Sequence, residues 1–355
     1  MSEKRSFTLD AMRGVCALAI VSSHVGLMLP PERMQYSYLG VDFFFMLSGF
    51  VLARAYEPKL KQALSPWRFM ELRLIRLYPL FFFGLSLGLA YAVCQMLAGG
   101  RHALEPVQAV LAYAQGLLML PDIILHKDLF PLNGPSWTLF LEILANGVLA
   151  FVLFRLRSVL LLLLSLACAV FYLWQHARLG SGNIGWAWST FHIGVARAFF
   201  AFPLGLVLGR AFDAERARTS RLAIMPVLAL ALVLFMGPPA RFDLLFDAVA
   251  LFMILPAIVW LGAMLQPPKS VRGFCEMAGD IAYPLFVLHF PLMRGTFALL
   301  VKRWDLPGWV VVACFVPAMI AFALLVFHRL DVPLRRWLSA RSRLRPSAMP
   351  VPVEG

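Results

Sequence analysis

The chain has 355 residues, of which 61% are apolar and only 14% charged, and its mean hydropathy is +0.78. About a quarter of the residues of a soluble domain are charged, so this composition excludes an ordinary soluble fold and predicts helices in a lipid bilayer. We attribute the formal net charge of +13 to basic loops on the cytoplasmic side of a membrane, rather than to nucleic-acid binding.

Ten segments are apolar over about 20 residues, the length that a membrane-spanning helix needs, although some only loosely so. They are residues 11–31, 38–56, 78–98, 136–154, 158–176, 188–209, 222–238, 244–265, 277–300 and 308–328. A further apolar stretch, residues 107–121, is shorter and ends at Pro121. We predict that this stretch is a re-entrant or interfacial helix.

The distribution of Lys and Arg determines the predicted orientation. If the N-terminus is cytoplasmic and residues 107–121 do not cross, 22 of the 32 basic residues lie in cytoplasmic segments and 7 in external ones. This asymmetry is typical of membrane proteins. We therefore predict an all-α, polytopic transmembrane helical bundle of ten spans with both termini in the cytoplasm. Residues 1–335 are predicted to form the membrane domain, and residues 336–355 a cytoplasmic tail that is basic and then Pro-rich.

The first predicted span contains Arg13 and His24, which are eleven residues apart. This spacing places them on one helix face, about 16 Å apart along the axis. The separation is comparable to the pantetheine arm of coenzyme A, so Arg13 would hold phosphate while His24 acts at a thioester. The structural alternatives are a snorkelling anchor for Arg13 and a helix–helix hydrogen bond for His24.

Three further residues are candidates because of their position. Asp42, near the outer end of the second predicted span, would orient His24, or would instead cap its own helix. Arg73 and Arg76 are three residues apart and share a helix face before the third span. Two guanidinium groups suit a polyphosphate, and the alternative is a positively charged anchor at the membrane surface.

A turn-rich segment leads into the fourth predicted span, where Glu142 and Asn146 lie one turn apart. Glu142 is either a catalytic carboxylate or the partner of a buried arginine such as Arg197. His289, in the ninth predicted span, is more readily explained as a structural residue. Weaker candidates for binding substrate are Ser48, Ser136, Trp137, Asn146, Tyr283 and His289.

These motifs together resemble the membrane acyltransferase-3 family. The resemblance rests on the spacing of Arg13 and His24 and on blocks that follow in the family's order. These blocks are Gly40 to Phe50, Arg73 to Pro79, Pro135 to Glu142, and Tyr283 to Pro291. The family's usual Asp-Gly-Leu-Arg-Gly start is here Asp10 to Gly14 with Ala11 and Met12 at its centre, a mild departure that leaves Arg13 in place.

The resemblance implies an enzyme of about ten helices that transfers an acyl group, commonly acetyl from acetyl-CoA, to a hydroxyl of a surface glycan or a macrolide. It also implies that His24 and Arg13 match two essential residues of the family, and that Arg73 and Arg76 match its donor-binding pair. The enzyme would have no bound cofactor and no metal.

We therefore predict an O-acyltransferase of the bacterial inner membrane, with His24 as general base or acyl carrier. Asp42 and Glu142 would orient the base or the acceptor. The expected partners are acyl-CoA, a glycan, lipid-linked sugar or other hydroxyl acceptor, and the bilayer. The alternative is a transporter or flippase for a lipid-linked glycan that uses His24 and Asp42 as a proton relay.

Overall fold

The computed structural model of the protein describes residues 5–26, 36–100, 103–124, 128–238, 240–301, 304 and 306–343. Over these residues the fold is all-α, apart from two short strands, Arg218–Thr219 and Leu265–Gln266, that pair in parallel. The α-helices of the described residues are α1 (Phe7–Gly26), α2 (Leu39–Ala55), α3 (Glu57–Gln62), α4 (Pro66–Leu97), α5 (Pro106–Leu117), α6 (Ser136–Phe151), α7 (Ser158–Leu179), α8 (Phe191–Ala211), α9 (Ile224–Phe235), α10 (Asp243–Val249), α11 (Leu255–Met264), α12 (Lys269–Leu300), α13 (Gly308–Val326) and α14 (Val332–Arg343).

Six helical segments in the described part of the chain are long and apolar enough to cross a membrane. They are Pro66–Leu97, Ser158–Leu179, Trp188–Ala211, Asp243–Met264, Lys269–Leu300 and Gly308–Ser342. Each of the ten predicted segments overlaps a helix, but the predicted count of ten spans is not confirmed. Helix α2 has 17 residues, and α1 carries the polar groups of Asp10, Arg13 and His24. Both are sheltered by other helices, so they do not need a uniformly apolar surface.

One predicted boundary differs from the structure. Helix α4 begins at Pro66, well before the predicted start at residue 78, because Ser65 caps its first turn and a proline is favoured there. Helix α14 extends to Arg343, and residues 344–355 lie outside the described residues, so the predicted tail stays a prediction. Helix α5 has 12 residues, or about 18 Å, which is too short to cross a bilayer.

Glycines allow the helices around the site to approach closely. A Cβ atom added to Gly49 of α2 would lie 2.1 Å from the carbonyl oxygen of Phe202, and one on Gly205 of α8 would lie 2.0 Å from that of Met46. In lipid, helices associate mainly through van der Waals packing, and small residues allow the close contact that this packing needs. Helix α2 is therefore fixed against α8, and α1 similarly packs along α12, where Gly14 faces Ala278.

We expect Gly205→Ala to lower the free energy of unfolding by about 1–3 kcal/mol, because the added methyl group would overlap the backbone of α2. Gly147→Ala in α6 is the matched control, since nothing lies within 4 Å of the added atom. The control should be neutral or stabilising by up to about 1 kcal/mol. Thermal unfolding in detergent checks this, and equal midpoints for the two variants would contradict the proposed packing.

Candidate active site

Three arginines line a narrow inner cavity of about 130 Å³. They are Arg13 from α1 and both Arg73 and Arg76 from α4, the residues predicted to bind the donor. The other polar side chains of its lining are those of Ser48, Thr138, Glu142 and Tyr283.

Carboxylates neutralise only part of this positive charge. Arg13 Nη1 donates to Asp10 Oδ1 over 2.9 Å, and Arg73 Nη2 donates to Glu142 Oε1 over 2.8 Å. Arg76 is exposed and has no carboxylate within ion-pair distance among the described residues. Glu142 is thus the partner of Arg73 and not, as the sequence suggested as one alternative, of Arg197. The inner cavity is suited to an anionic ligand.

Ser48 and Tyr283 support the inner cavity from two other helices. The Ser48 hydroxyl donates to the same Glu142 oxygen over 3.1 Å, which helps to hold the carboxylate against Arg73. The Tyr283 hydroxyl donates to the carbonyl oxygen of Leu77 over 2.5 Å and so links α12 to α4. These contacts fix the arginine-bearing turn of α4 relative to α6 and α12.

A larger outer cavity of about 670 Å³ lies beyond the inner one and is lined by His24. Its size falls in the range of small-molecule sites. Its lining combines aromatic rings with carboxylate, amide and guanidinium groups. These residues include Tyr36, Tyr38, Asp128, Trp137, Asn183, Trp186, Asp243, Phe290 and Arg294.

Tyr36 and Asp243 are joined at one side of the outer cavity. The Tyr36 hydroxyl contacts a carboxylate oxygen of Asp243 and the carbonyl oxygen of Pro238. Burial and the Asp243 carboxylate both raise the pKa of the Tyr36 phenol, which therefore stays protonated and remains a hydrogen-bond donor.

His24 is paired with His289, a contact that the sequence did not predict. His289 Nε2 lies 2.9 Å from His24 Nδ1, and the ring centroids are 5.0 Å apart. His289 is fully buried, whereas His24 is only half-buried and lines the cavity. Phe290 packs edge-on against the His24 ring at 5.5 Å.

The hydrogen bonds of His289 assign the protons of both rings. Its Nδ1 lies 2.8 Å from the carbonyl oxygen of Phe286 and 3.1 Å from that of Leu285. Carbonyl oxygens only accept hydrogen bonds, so this nitrogen carries the proton. In a neutral ring Nε2 of His289 then accepts, and Nδ1 of His24 must be the donor. Nε2 of a neutral His24 is left with a free lone pair.

Asp42 contacts Arg197, and not His24 as the sequence predicted. Arg197 Nη2 and Nε donate to its two carboxylate oxygens over 2.7 and 3.1 Å. Both side chains are almost fully buried. The guanidinium group also donates to the carbonyl oxygens of Ile184 and Tyr38 over 2.8 and 2.9 Å. The pair thus ties α2 and α8 to the segments that form one wall of the outer cavity.

The remaining predicted residues are dispersed. Trp137 lines the outer cavity, near the guanidinium group of Arg197. Ser136 and Asn146 are buried and line neither of the two cavities in the described part of the chain. The sequence analysis named Arg197 only as a possible buried partner of Glu142, and it did not predict the pairing with Asp42.

The two cavities are adjacent but distinct. Val41, Thr138 and Phe286 contribute to the lining of both. Arg13, Arg73 and Arg76 lie on one side of this shared wall, and His24 lies on the other. An extended ligand with an anionic end could therefore reach from the arginines toward the histidine pair past these three residues.

We expect Arg197→Met to lower the free energy of unfolding by about 3–5 kcal/mol, because it leaves the buried Asp42 carboxylate without its partner. Adding Asp42→Asn should restore part of this loss, since the amide carries no charge. Thermal unfolding of the two single variants and the double variant checks this. A Tm of Arg197→Met equal to that of the wild type would show that the pair does not hold the fold.

Comparison with known proteins identifies the family. The model of a family described as an acyltransferase domain, acyltransferase-3, matches residues 7–328. "Protein 2 in picA locus" of Rhizobium radiobacter is 40% identical over 158 residues, which cover 41% of this chain and 82% of that protein. No solved structure matches. The family match covers both cavities and the histidine pair, and the chain is a membrane acyltransferase that belongs to the acyltransferase-3 family.

Proposed function

We propose that the protein transfers an acyl group, most simply acetyl, from acyl-CoA to a hydroxyl group of a glycan or glycoconjugate. The observation that carries the proposal is the order of the groups across two adjacent cavities: three arginines line the inner cavity, and His24, backed by His289, lines the outer one. The substrates and the direction in which they enter are inferred from the chemistry of the two cavities.

The donor would bind with its phosphates at the inner cavity. Arginine is suited to phosphate because its planar guanidinium group forms paired hydrogen bonds with two oxygens. Arg76 has no carboxylate partner among the described residues and would be the first contact. Arg73 would shift between Glu142 and phosphate. The extended arm of the donor would then pass Val41, Thr138 and Phe286 to bring its thioester to His24.

The acceptor would bind in the outer cavity. Sugars have apolar ring faces and hydroxyl edges, and this cavity offers both kinds of partner. Trp137 and Trp186 provide aromatic surfaces, while Asp128, Asn183 and Asp243 provide hydrogen-bonding groups. This combination favours a glycan over a wholly apolar alcohol.

His24 would act as the general base. Its Nε2 would take the proton of the acceptor hydroxyl as the oxygen attacks the thioester carbonyl. The carbon–sulfur bond then breaks, and the imidazolium returns the proton to the leaving thiolate, which gives the ester and free CoA. His289 would hold the required tautomer of His24 through its hydrogen bond. An acyl-histidine route would use the same nitrogen as the nucleophile.

The transporter alternative has less support. It needs a proton relay between His24 and Asp42, but both oxygens of Asp42 accept hydrogen bonds from Arg197, and the carboxylate does not contact His24. The family match also favours group transfer over transport.

We expect His24→Ala to lower acyl transfer by about 10²–10⁴-fold in protein that is still stably inserted, because it removes the base. His289→Ala should lower kcat more than it raises KM, because the tautomer of His24 is no longer held. His192→Gln is the control, since His192 contacts Gln175 and lines neither cavity. The measurement is the incorporation of label from radiolabelled acetyl-CoA into the glycan and lipid fractions of membrane vesicles.

Two outcomes of this experiment test the assignment of His24 as the general base. Full activity of a stably inserted His24→Ala variant would overturn its assignment. Label bound to the wild-type protein in the absence of acceptor, and lost in His24→Ala, would replace the general base by an acyl-histidine intermediate.

We expect the double variant Arg73→Ala/Arg76→Ala to raise KM for acetyl-CoA by about tenfold or more, because charge-assisted hydrogen bonds to phosphate are lost. Arg68→Ala is the matched control on the same helix, since Arg68 pairs with Glu71 and Ser342 and lines neither cavity. Titration of the initial rate with acetyl-CoA checks this. An unchanged KM in the double variant would show that the two arginines do not bind the donor and would favour their role as anchors at the membrane surface.

A further inference from the structure

A third pocket, separate from the two cavities of the candidate site, is strongly basic. It is an open surface pocket of about 460 Å³. Its residues come from α3, the turn before α7, the start of α7 and the end of α8. Its charged residues all carry positive charge. They are Lys61, Arg155, Arg157 and Arg210.

Two of these cations share one carboxylate and belong to the framework. Lys61 Nζ lies 2.6 Å from Glu57 Oε1, and Arg210 Nε donates to Glu57 Oε2 over 2.9 Å. Arg210 also donates to the carbonyl oxygens of Leu156 and Leu153. The Glu57 carboxylate is nearly fully buried beneath them. Lys61, Glu57 and Arg210 thus form the floor of the pocket.

The other two cations are available to a ligand. Arg155 and Arg157 are exposed, and neither has a carboxylate within ion-pair distance in the described ranges. Arg155 Nη1 donates to the carbonyl oxygen of Phe151, and the guanidinium group lies over the ring of Phe154 at 4.4 Å, so both contacts orient the group. The 22-residue helix α7 starts here at Ser158, and its first N–H groups add partial positive charge. A phosphate group satisfies this arrangement.

Exposed apolar side chains follow and precede the pocket residues along the chain. Val159 is 58% exposed and Leu163 57% exposed on α7, and Val152 precedes the pocket with 48% exposed. A free phosphate or nucleotide gains nothing from this surface. A molecule with a phosphate headgroup and acyl chains would cover both parts of it.

We propose that this basic pocket binds the headgroup of an anionic phospholipid in the cytoplasmic leaflet. The three segments that build it, around Lys61, Arg155 to Arg157 and Arg210, are all predicted to be cytoplasmic from the distribution of charge. Their convergence in one pocket agrees with that common orientation. The bound lipid would link α3, α7 and α8, and this role is independent of the acyl-transfer chemistry.

The test compares lipid binding by the wild type and by Arg155→Gln/Arg157→Gln. Both residues are exposed, so the variant should fold, and its Tm in lipid-free detergent checks this. The matched control is Arg216→Gln/Arg218→Gln, which removes two exposed arginines from the same predicted side of the membrane but outside the pocket. Native mass spectrometry measures retention of phosphatidylglycerol and of phosphatidylcholine by the detergent-solubilised protein.

We expect the wild type and the control to retain phosphatidylglycerol in preference to phosphatidylcholine, and the pocket variant to bind phosphatidylglycerol about thirtyfold more weakly. Equal retention by wild type and pocket variant, or no preference between the two lipids, would overturn the proposal. Inorganic phosphate and adenosine 3′,5′-bisphosphate are tested as competitors of the lipid. If either displaces the lipid from the wild type at micromolar concentration, the pocket is a site for soluble phosphates and the lipid assignment is wrong.

Discussion

A buried charge in a membrane bundle must have a partner, and this requirement fixes the arrangement of α2 and α8. The Arg197 guanidinium group is enclosed by the Asp42 carboxylate and two backbone carbonyl oxygens. Because the interior is poor in water, an unpaired charge would cost several kcal/mol, so alternative registers of the two helices are disfavoured. The glycine contacts at Gly49 and Gly205 allow the close approach that this register needs.

This arrangement also determines what surrounds the histidine pair. Tyr38 accepts from Arg197 through its carbonyl oxygen and donates through its hydroxyl to Asp247, 2.7 Å away. Tyr172 donates to the other oxygen of Asp247 over 2.8 Å. One connected network therefore runs from α2 through α8 to α7 and α10 on the side of the outer cavity. His24 and His289 are themselves brought together by the packing of α1 along α12.

The sequence predicted the elements better than their contacts. The length of the apolar segments located a helix at each predicted position, and the clustering of arginines in the inner cavity was anticipated from Arg73 and Arg76. The pairing of His24 with His289 was not predicted. The two residues are 265 positions apart, and nothing in the local sequence indicates which helices become neighbours. The assignment of Asp42 to His24 was wrong for the same reason. A carboxylate at the outer end of a span has several possible partners, and only packing selects Arg197.

The separation of the two cavities bears on how hydrolysis is avoided. A thioester in contact with a base and free water would be hydrolysed as readily as it would be transferred. Here the arginines and the histidine pair face different cavities, with Val41, Thr138 and Phe286 between them. A bound donor would place its own arm in the gap between these side chains, and so close the path for water while the thioester emerges beside His24. Under the proposed reaction, binding energy at the phosphate end would thus be used to position the reacting carbon beside His24.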